Sequence, residues 1–259
     1  MSTLAANVAG IGFWADGLPS WEAALCFVRD GTRPEGAPAR PSPGLLAPNE
    51  RRRAPETVAV ALQVAQAACA DAGLDPAALP SVFASTHGDL AITDYMCETL
   101  AGSPADISPT RFHNSVHNAA AGYWTIGTGC VKPATALSAY RASFAQGLLE
   151  AMVQLATGSD AVLLVAYDTA ARGPLGGQAR SAGLLGGALV LVRDGAGTRL
   201  SATLAAGDAP PGDGRHERHA RENAMAPMLP LFDALAAGAA GARLDAGPGR
   251  VLRVEVDHG

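Results

Sequence analysis

ISPTRFHNSVHNAAAGYWTIGTGCVKPATALSAYRASFAQGLLEAMVQLATGSDAVLLVAYD, residues 107–168, holds the pattern from which the fold can be read. Its first twelve residues are polar and irregular, and Asn118 stands where a side chain caps the exposed amides of a starting helix. Thr135–Ala139 reads as a buried strand and Ala142–Ala156 as a long helix stopped before Gly158. Ala161–Tyr167 is an unbroken apolar run, the signature of a strand covered on both faces. Strand, helix, strand in this order is the repeating unit of a sheet with helices laid against it.

The same alternation extends outward. Val8–Ala15 reads as an opening strand and Trp21–Arg29 as a short helix, followed by a Pro/Gly-rich loop through Pro48. Thr57–Gly73 is a helix, because apolar residues recur every three or four positions and Gly73 can terminate it. Ser81–Ser85 reads as a short strand and Ala91–Ala101 as a second helix. Beyond the quoted stretch, Leu184–Arg193 and Arg199–Ala205 read as a meander of two strands. One more helix (Pro227–Ala237) and one strand (Val251–Val256) close the chain. The expected architecture is α/β, a layered fold with a mixed sheet. Its expected parts are a main domain over residues 1–205, a polar linker over 206–224, and a short α-β element over 225–259 that completes the same domain.

Composition narrows the function. The 259 residues are 48% hydrophobic and 17% charged, which excludes disorder over the whole chain. The net charge of -5 and the lack of a basic stripe argue against nucleic acid as partner. The one basic run, Arg51–Arg53, reads as a solvated turn before a helix. The longest uncharged apolar run, Ala182–Val192, is far short of the ~20 residues that span a bilayer. With no cationic leader at the N-terminus, the expected location is the cytoplasm. Cys26, Cys69, Cys97 and Cys130 are widely spaced, so they read as free thiols, with Cys69 a small core residue.

No phosphate-binding loop, dinucleotide fingerprint or nucleophile elbow of the Gly-x-Ser-x-Gly form is present. His113 and His117 share the spacing of a metal pair but lack a third ligand, so no metal is assigned. His216 and His219 lie in the most hydrophilic stretch and read as solvated. Asp168 sits at the carboxyl end of a strand, where open sheets place functional groups or simply turn.

The quoted stretch resembles the N-terminal half of the beta-ketoacyl synthases, members of the thiolase fold. In that family a Pro/Asn-rich segment leads into an Asn-Ala-Ala-Ala-Gly helix start. A strand then delivers a cysteine to the N-terminus of a buried helix, which ends at a glycine seventeen residues on. Residues 50–89 look like the family's early helix and strand, so the resemblance spans about residues 50–205. Counting back seventeen from Gly158 places Arg141 at the nucleophile position.

Arginine stays protonated and cannot be acylated. The family's second half, with its His-Gly-Thr-Gly-Thr motif, is not found, and the single lysine, Lys132, precedes the nucleophile strand. The resemblance therefore implies no catalytic residue and no cofactor. It points to a subunit of the chain-length-factor type, as in aryl-polyene and related pigment clusters, paired with a full-length ketosynthase and transiently with an acyl carrier protein. It also implies that Thr135, Ala136, Leu137, Ser138 and Ala139 form the strand that pairs across the dimer. Tyr95, Met96, Phe112, His113 and Tyr140 would line the acyl tunnel or the partner interface. The alternatives are a stand-alone acyltransferase or hydrolase built on Asp168, His113 and Ser138, and a homodimeric acyl-binding scaffold.

Overall fold

The computed structural model describes residues 3–259. Strand β1 (Thr3–Ala15) begins five residues before its apolar pattern does. Helix α1 (Trp21–Asp30) starts where Ser20 Oγ accepts the Ala23 N–H and stops at Gly31, whose φ of 84° suits only a residue without Cβ. The arginine run is a single helical turn, α2 (Pro48–Arg53), with proline at its start, where no N–H is required. Helix α3 (Glu56–Ala72) ends on Gly73 in the same left-handed conformation.

Then follow β2 (Ser81–Ala84) and α4 (Leu90–Gly102), the latter capped by Asp89. A one-turn helix, α5 (Pro109–His113), lies inside the stretch read as irregular, capped by Ser108. In α6 (Ala119–Thr128) the expected cap fails: Asn118 forms no side-chain bond to the first turn. The chain continues through β3 (Ala134–Leu137), α7 (Ser143–Ala156), β4 (Ala161–Asp168), β5 (Leu185–Val192) and β6 (Arg199–Ala206). It ends with α8 (Arg215–Ala220), α9 (Leu229–Ala237), β7 (Gly241–Asp245) and β8 (Arg250–Asp257).

All eight strands form one sheet in the order β3-β2-β4-β5-β1-β6-β8-β7. Strands β3, β2 and β4 are parallel and every other pairing is antiparallel. Strands β5 and β6 are not a meander, because β1 inserts between them and pairs with both. Periodicity identifies a strand but not its neighbour. The C-terminal hairpin of β7 and β8 joins the sheet through β6, so residues 241–257 extend the same layer. Strand β7 escaped the sequence reading because only Leu244 in it is buried.

One face of the sheet is covered by α3 and α6 and the other by α7, α9 and α1. Two glycines in β1 set the spacing on the α3 side. A Cβ on Gly10 would lie 2.2 Å from the Ala68 carbonyl oxygen, and one on Gly12 would lie 2.0 Å from that of Val64. The helix backbone therefore rests directly on the strand.

The hydrophilic segment before α9 is not all solvated. His216 is 1% exposed, with its ring 4.9 Å from that of Phe13 and its Nε2 3.1 Å from the Ala24 carbonyl oxygen. Asp233 of α9 accepts the N–H groups of His216 and Glu217, docking the start of α8 against the core and turning the imidazole inward.

Candidate functional site

Strand β3 runs through Ser138 and Ala139 into a single tight turn, Tyr140–Ala142, that opens directly into α7. Among the described residues Tyr140 is the one non-glycine residue with positive φ, at 54°, a conformation that costs about 1–3 kcal/mol and persists only where neighbours enforce it. Ser143 is the enforcing group. Its buried hydroxyl accepts the Ala139 N–H at 2.9 Å and donates to the Tyr140 carbonyl at 2.7 Å. Ser138 is likewise committed to backbone, donating to the Thr86 carbonyl at 2.9 Å.

Arg141 occupies this elbow. Its side chain is 65% exposed and its Nε donates to Asp245 Oδ2 at 3.1 Å, tying the elbow to the end of β7. The carboxylate answers the unfavourable meeting of a cation with a helix N-terminus. An exposed pair of this kind contributes at most about 1 kcal/mol. Two cavities flank the guanidinium. One, about 310 Å³, includes Arg221, Arg243, Glu217 and Asp245 in its lining; the other, about 250 Å³, includes His87, Tyr140 and Arg180. No atom of Arg141 is a nucleophile.

The cysteines lie elsewhere. Cys69 is buried in α3, and desolvation pushes its thiol up to about 12. Cys130 is buried with its thiol on the Leu79 carbonyl at 3.4 Å, Cys97 is exposed on α4, and Cys26 is half-buried on α1.

Asp168 is the hub of a buried network behind the elbow. Its carboxylate accepts from Ser85 Oγ at 2.7 Å, the Thr86 N–H at 2.9 Å and the His87 N–H at 3.4 Å. Asn223 donates to its backbone carbonyl, and to those of Ala182 and Gly183. Desolvation raises the Asp168 pKa above 3.8, against the opposing pull of these hydrogen bonds. The fold thus holds the Asp168 proton more tightly than the unfolded chain does. This contribution to stability is full below 3.8 and is lost as pH rises through the folded-state value. In Asp168→Asn that loss disappears, so the stability of the variant relative to wild type climbs as pH increases above 3.8, a trend that urea unfolding at several pH values measures.

The structure does not assemble Asp168, His113 and Ser138 into a catalytic group. His113 is exposed on α5, its ring 6.3 Å from that of Tyr123, and the other two side chains are bonded as described. His117, the other half of the metal-like spacing, has its Nε2 2.9 Å from the Ser85 carbonyl oxygen. Among the described residues no group of three or more His, Cys, Asp or Glu side chains is placed to hold a metal ion. Among the described residues no helix is long and apolar enough to cross a membrane.

Tyr95 and Met96 lie half-buried on α4. The Tyr95 hydroxyl accepts the Ser108 N–H at 3.0 Å, and the Arg111 guanidinium stacks 4.0 Å above its ring, which locks α4 to α5. Tyr95 also borders a cavity of about 720 Å³. Phe112 is 60% exposed and Tyr140 66%, neither of them covered by this chain.

Strand β3 is one of the two edges of the sheet, the other being β7, and it is half-buried where a central strand would be fully covered. Apolar side chains stand uncovered around it: Val131, three residues before its start in the preceding loop, is 94% exposed, and Ile126 on the adjacent α6 is 82% exposed. Sequence reasoning missed Ser85, Asn223 and Asp245. Only tertiary placement gives them their partners.

The mixed sheet between two helical layers, with its strained strand-to-helix elbow, is the layout of the thiolase-like fold that the solved structures below share. The family described as "Beta-ketoacyl synthase, N-terminal domain" matches residues 29–246, beyond the 50–205 stretch at both ends. The chain belongs to this family. Among curated proteins no sequence matches it.

Solved structures share the fold. A chain of the ketosynthase ApeO in complex with its chain length factor ApeC, from Xenorhabdus doucetiae, superposes with a TM-score of 0.75 and 22% identity, covering 97% of this chain and 99% of that one. The ishigamide ketosynthase/chain length factor gives 0.72 at 14% identity, with 98% and 99% covered. A ketosynthase from the bacillaene synthase of Bacillus amyloliquefaciens FZB42 gives 0.57 at 14% identity, with 81% of this chain but only 47% of that one covered.

Proposed function

We propose that this chain is a ketosynthase-like subunit without a nucleophile of its own. It pairs with a full-length ketosynthase and shapes the space into which that partner extends an acyl chain carried by an acyl carrier protein. The work is that of fatty-acid- or polyketide-type synthesis, in the manner of a chain length factor, and the setting is the cytoplasm. One observation carries this reading: the strand that leads into the elbow is an open edge of the sheet, and a guanidinium stands in the elbow, where the resemblance would put the family's thiol.

In this reading residues 1–205 form the main domain, 206–224 the linking segment that carries α8, and 225–259 the α-β element that completes the same unit. The size fits too. Chains from two ketosynthase/chain length factor structures are covered almost end to end, whereas a ketosynthase from a large synthase is covered over about half its length.

An unpaired edge with apolar flanks is a pairing surface. Across it Thr135–Ala139 would continue the sheet into the partner. Phe112, His113 and Tyr140 would meet the partner's surface, with Tyr95 and Met96 behind them fixing how α4 and α5 present it. The test is product length. Phe112→Ala and Tyr95→Ala, each co-expressed with the ketosynthase and carrier protein, should shift the product distribution toward longer chains, read by mass spectrometry. An unchanged distribution in both would remove these residues from the tunnel.

A further inference from the structure

We propose that the pocket between the end of α1 and α8 binds a phosphate-bearing ligand, a site independent of the pairing described above. The pocket, about 470 Å³, is lined by Phe27, Arg33, Arg215, Arg218 and His219, with no carboxylate among them. In a chain of net charge -5, three guanidiniums face one concavity.

Their bonding leaves the charge uncompensated. Arg215 donates to the Phe27 carbonyl at 3.2 Å, Arg218 to the Asp213 carbonyl, and Arg33 stacks 4.9 Å from the Phe27 ring centre while donating to His219 Nδ1 at 3.2 Å. That last bond fixes the imidazole, whose Nε2 donates to the Asp16 carbonyl at 2.7 Å. Elsewhere Arg29, Arg40, Arg141, Arg172 and Arg193 are ion-paired to carboxylates, but among the described residues none of these three is. The nearby Asp30 is taken up by Arg29 and the Thr32 N–H.

The arrangement is built in by the backbone. At Gly31 a Cβ would come within 2.8 Å of Arg215 Nη1, so the helix stop and the guanidinium share one space. Arg215 also neutralises the negative end of the α1 dipole, which would otherwise repel an anion. Guanidinium forks match the oxygens of a tetrahedral oxyanion, which a lone ammonium does not. The volume accommodates a phosphate with a small organic group attached.

The test titrates the full chain with sodium pyrophosphate by calorimetry at low ionic strength, beside vesicles containing phosphatidic acid and a hexaglutamate peptide. Saturable one-to-one pyrophosphate binding is expected. It should weaken at least tenfold in the Arg33→Gln/Arg218→Gln double variant and stay unchanged in Arg250→Gln/Arg253→Gln on β8. Arg218→Lys, which keeps the charge and loses the fork, should fall between. Pyrophosphate binding without vesicle binding assigns a soluble phosphate ester, and vesicle binding lost in the double variant assigns a lipid headgroup. No saturable pyrophosphate binding by wild type, equal binding by the double variant with wild-type circular dichroism, or capture of hexaglutamate alone overturns the proposal.

Discussion

Ala136→Pro should abolish co-purification with the ketosynthase while leaving the fold of this chain intact. The Ser81 N–H bonds to the Pro133 carbonyl and the Ser85 N–H to the Leu137 carbonyl. Alternation along the strand therefore turns residues 133, 135 and 137 toward β2 and directs the N–H and C=O of Ala134 and Ala136 to the open side. Proline at 136 removes a donor that β2 never uses, in a strand position where proline is tolerated. The melting temperature should move by only a few degrees, because no pairing inside the chain is lost. Thr135→Pro, one residue away, removes an inward donor and should lower it further. If Ala136→Pro still co-purified at wild-type yield, β3 would not be the pairing strand.

Gly12→Val should be the most damaging single change in the core. Its Cβ would meet the Val64 carbonyl oxygen at 2.0 Å and the Ala68 nitrogen at 3.1 Å, both backbone atoms of α3 that no side-chain rotation can clear. Overpacking of flexible neighbours costs about 1–3 kcal/mol. Here the helix itself must lift from β1, so a loss of about 3 kcal/mol or more is expected, or roughly 6–12 °C in a domain of this size. Thermal unfolding followed by circular dichroism measures it. By contrast Gly36→Ala, with no atom within 4 Å of the new Cβ, should cost only the strain of its positive φ.

Elements whose own residues determine them were legible in the sequence. Helix α3 has both a clear period and a glycine stop, β4 is apolar throughout, and β8 alternates. Elements determined by contact were not. The pairing of β1 between β5 and β6 depends on a strand nearly two hundred residues away in sequence. The burial of His216 depends on Asp233 docking α8, and nothing in a run of Arg, His and Glu announces that. Strand β3 read as buried because its composition is that of a covered strand, yet in this chain alone it is half open. The proposed pairing across β3 would account for this mismatch.

The site divides in the same way. Arg141 was placed by the resemblance, which counts seventeen residues back from Gly158, and it lies in the turn before α7. Its partner Asp245 is 104 residues on, and the clamp that strains Tyr140 rests on the Ser143 hydroxyl, whose two bonds exist only once the turn has formed. Asp168 stood out as the end of a strand. Its role in gathering Ser85, Thr86 and Asn223 comes from the parallel pairing of β2 with β4 and from the return of the chain after β6.

The most direct test of an inert, pairing subunit is intact-mass spectrometry of the co-purified pair after incubation with an acyl-carrier-protein thioester. The account predicts a one-to-one complex in which the acyl mass appears on the ketosynthase alone and this chain keeps its unmodified mass. An acyl adduct on this chain that forms at the partner's rate and maps to Cys26, Cys69, Cys97 or Cys130 would contradict it.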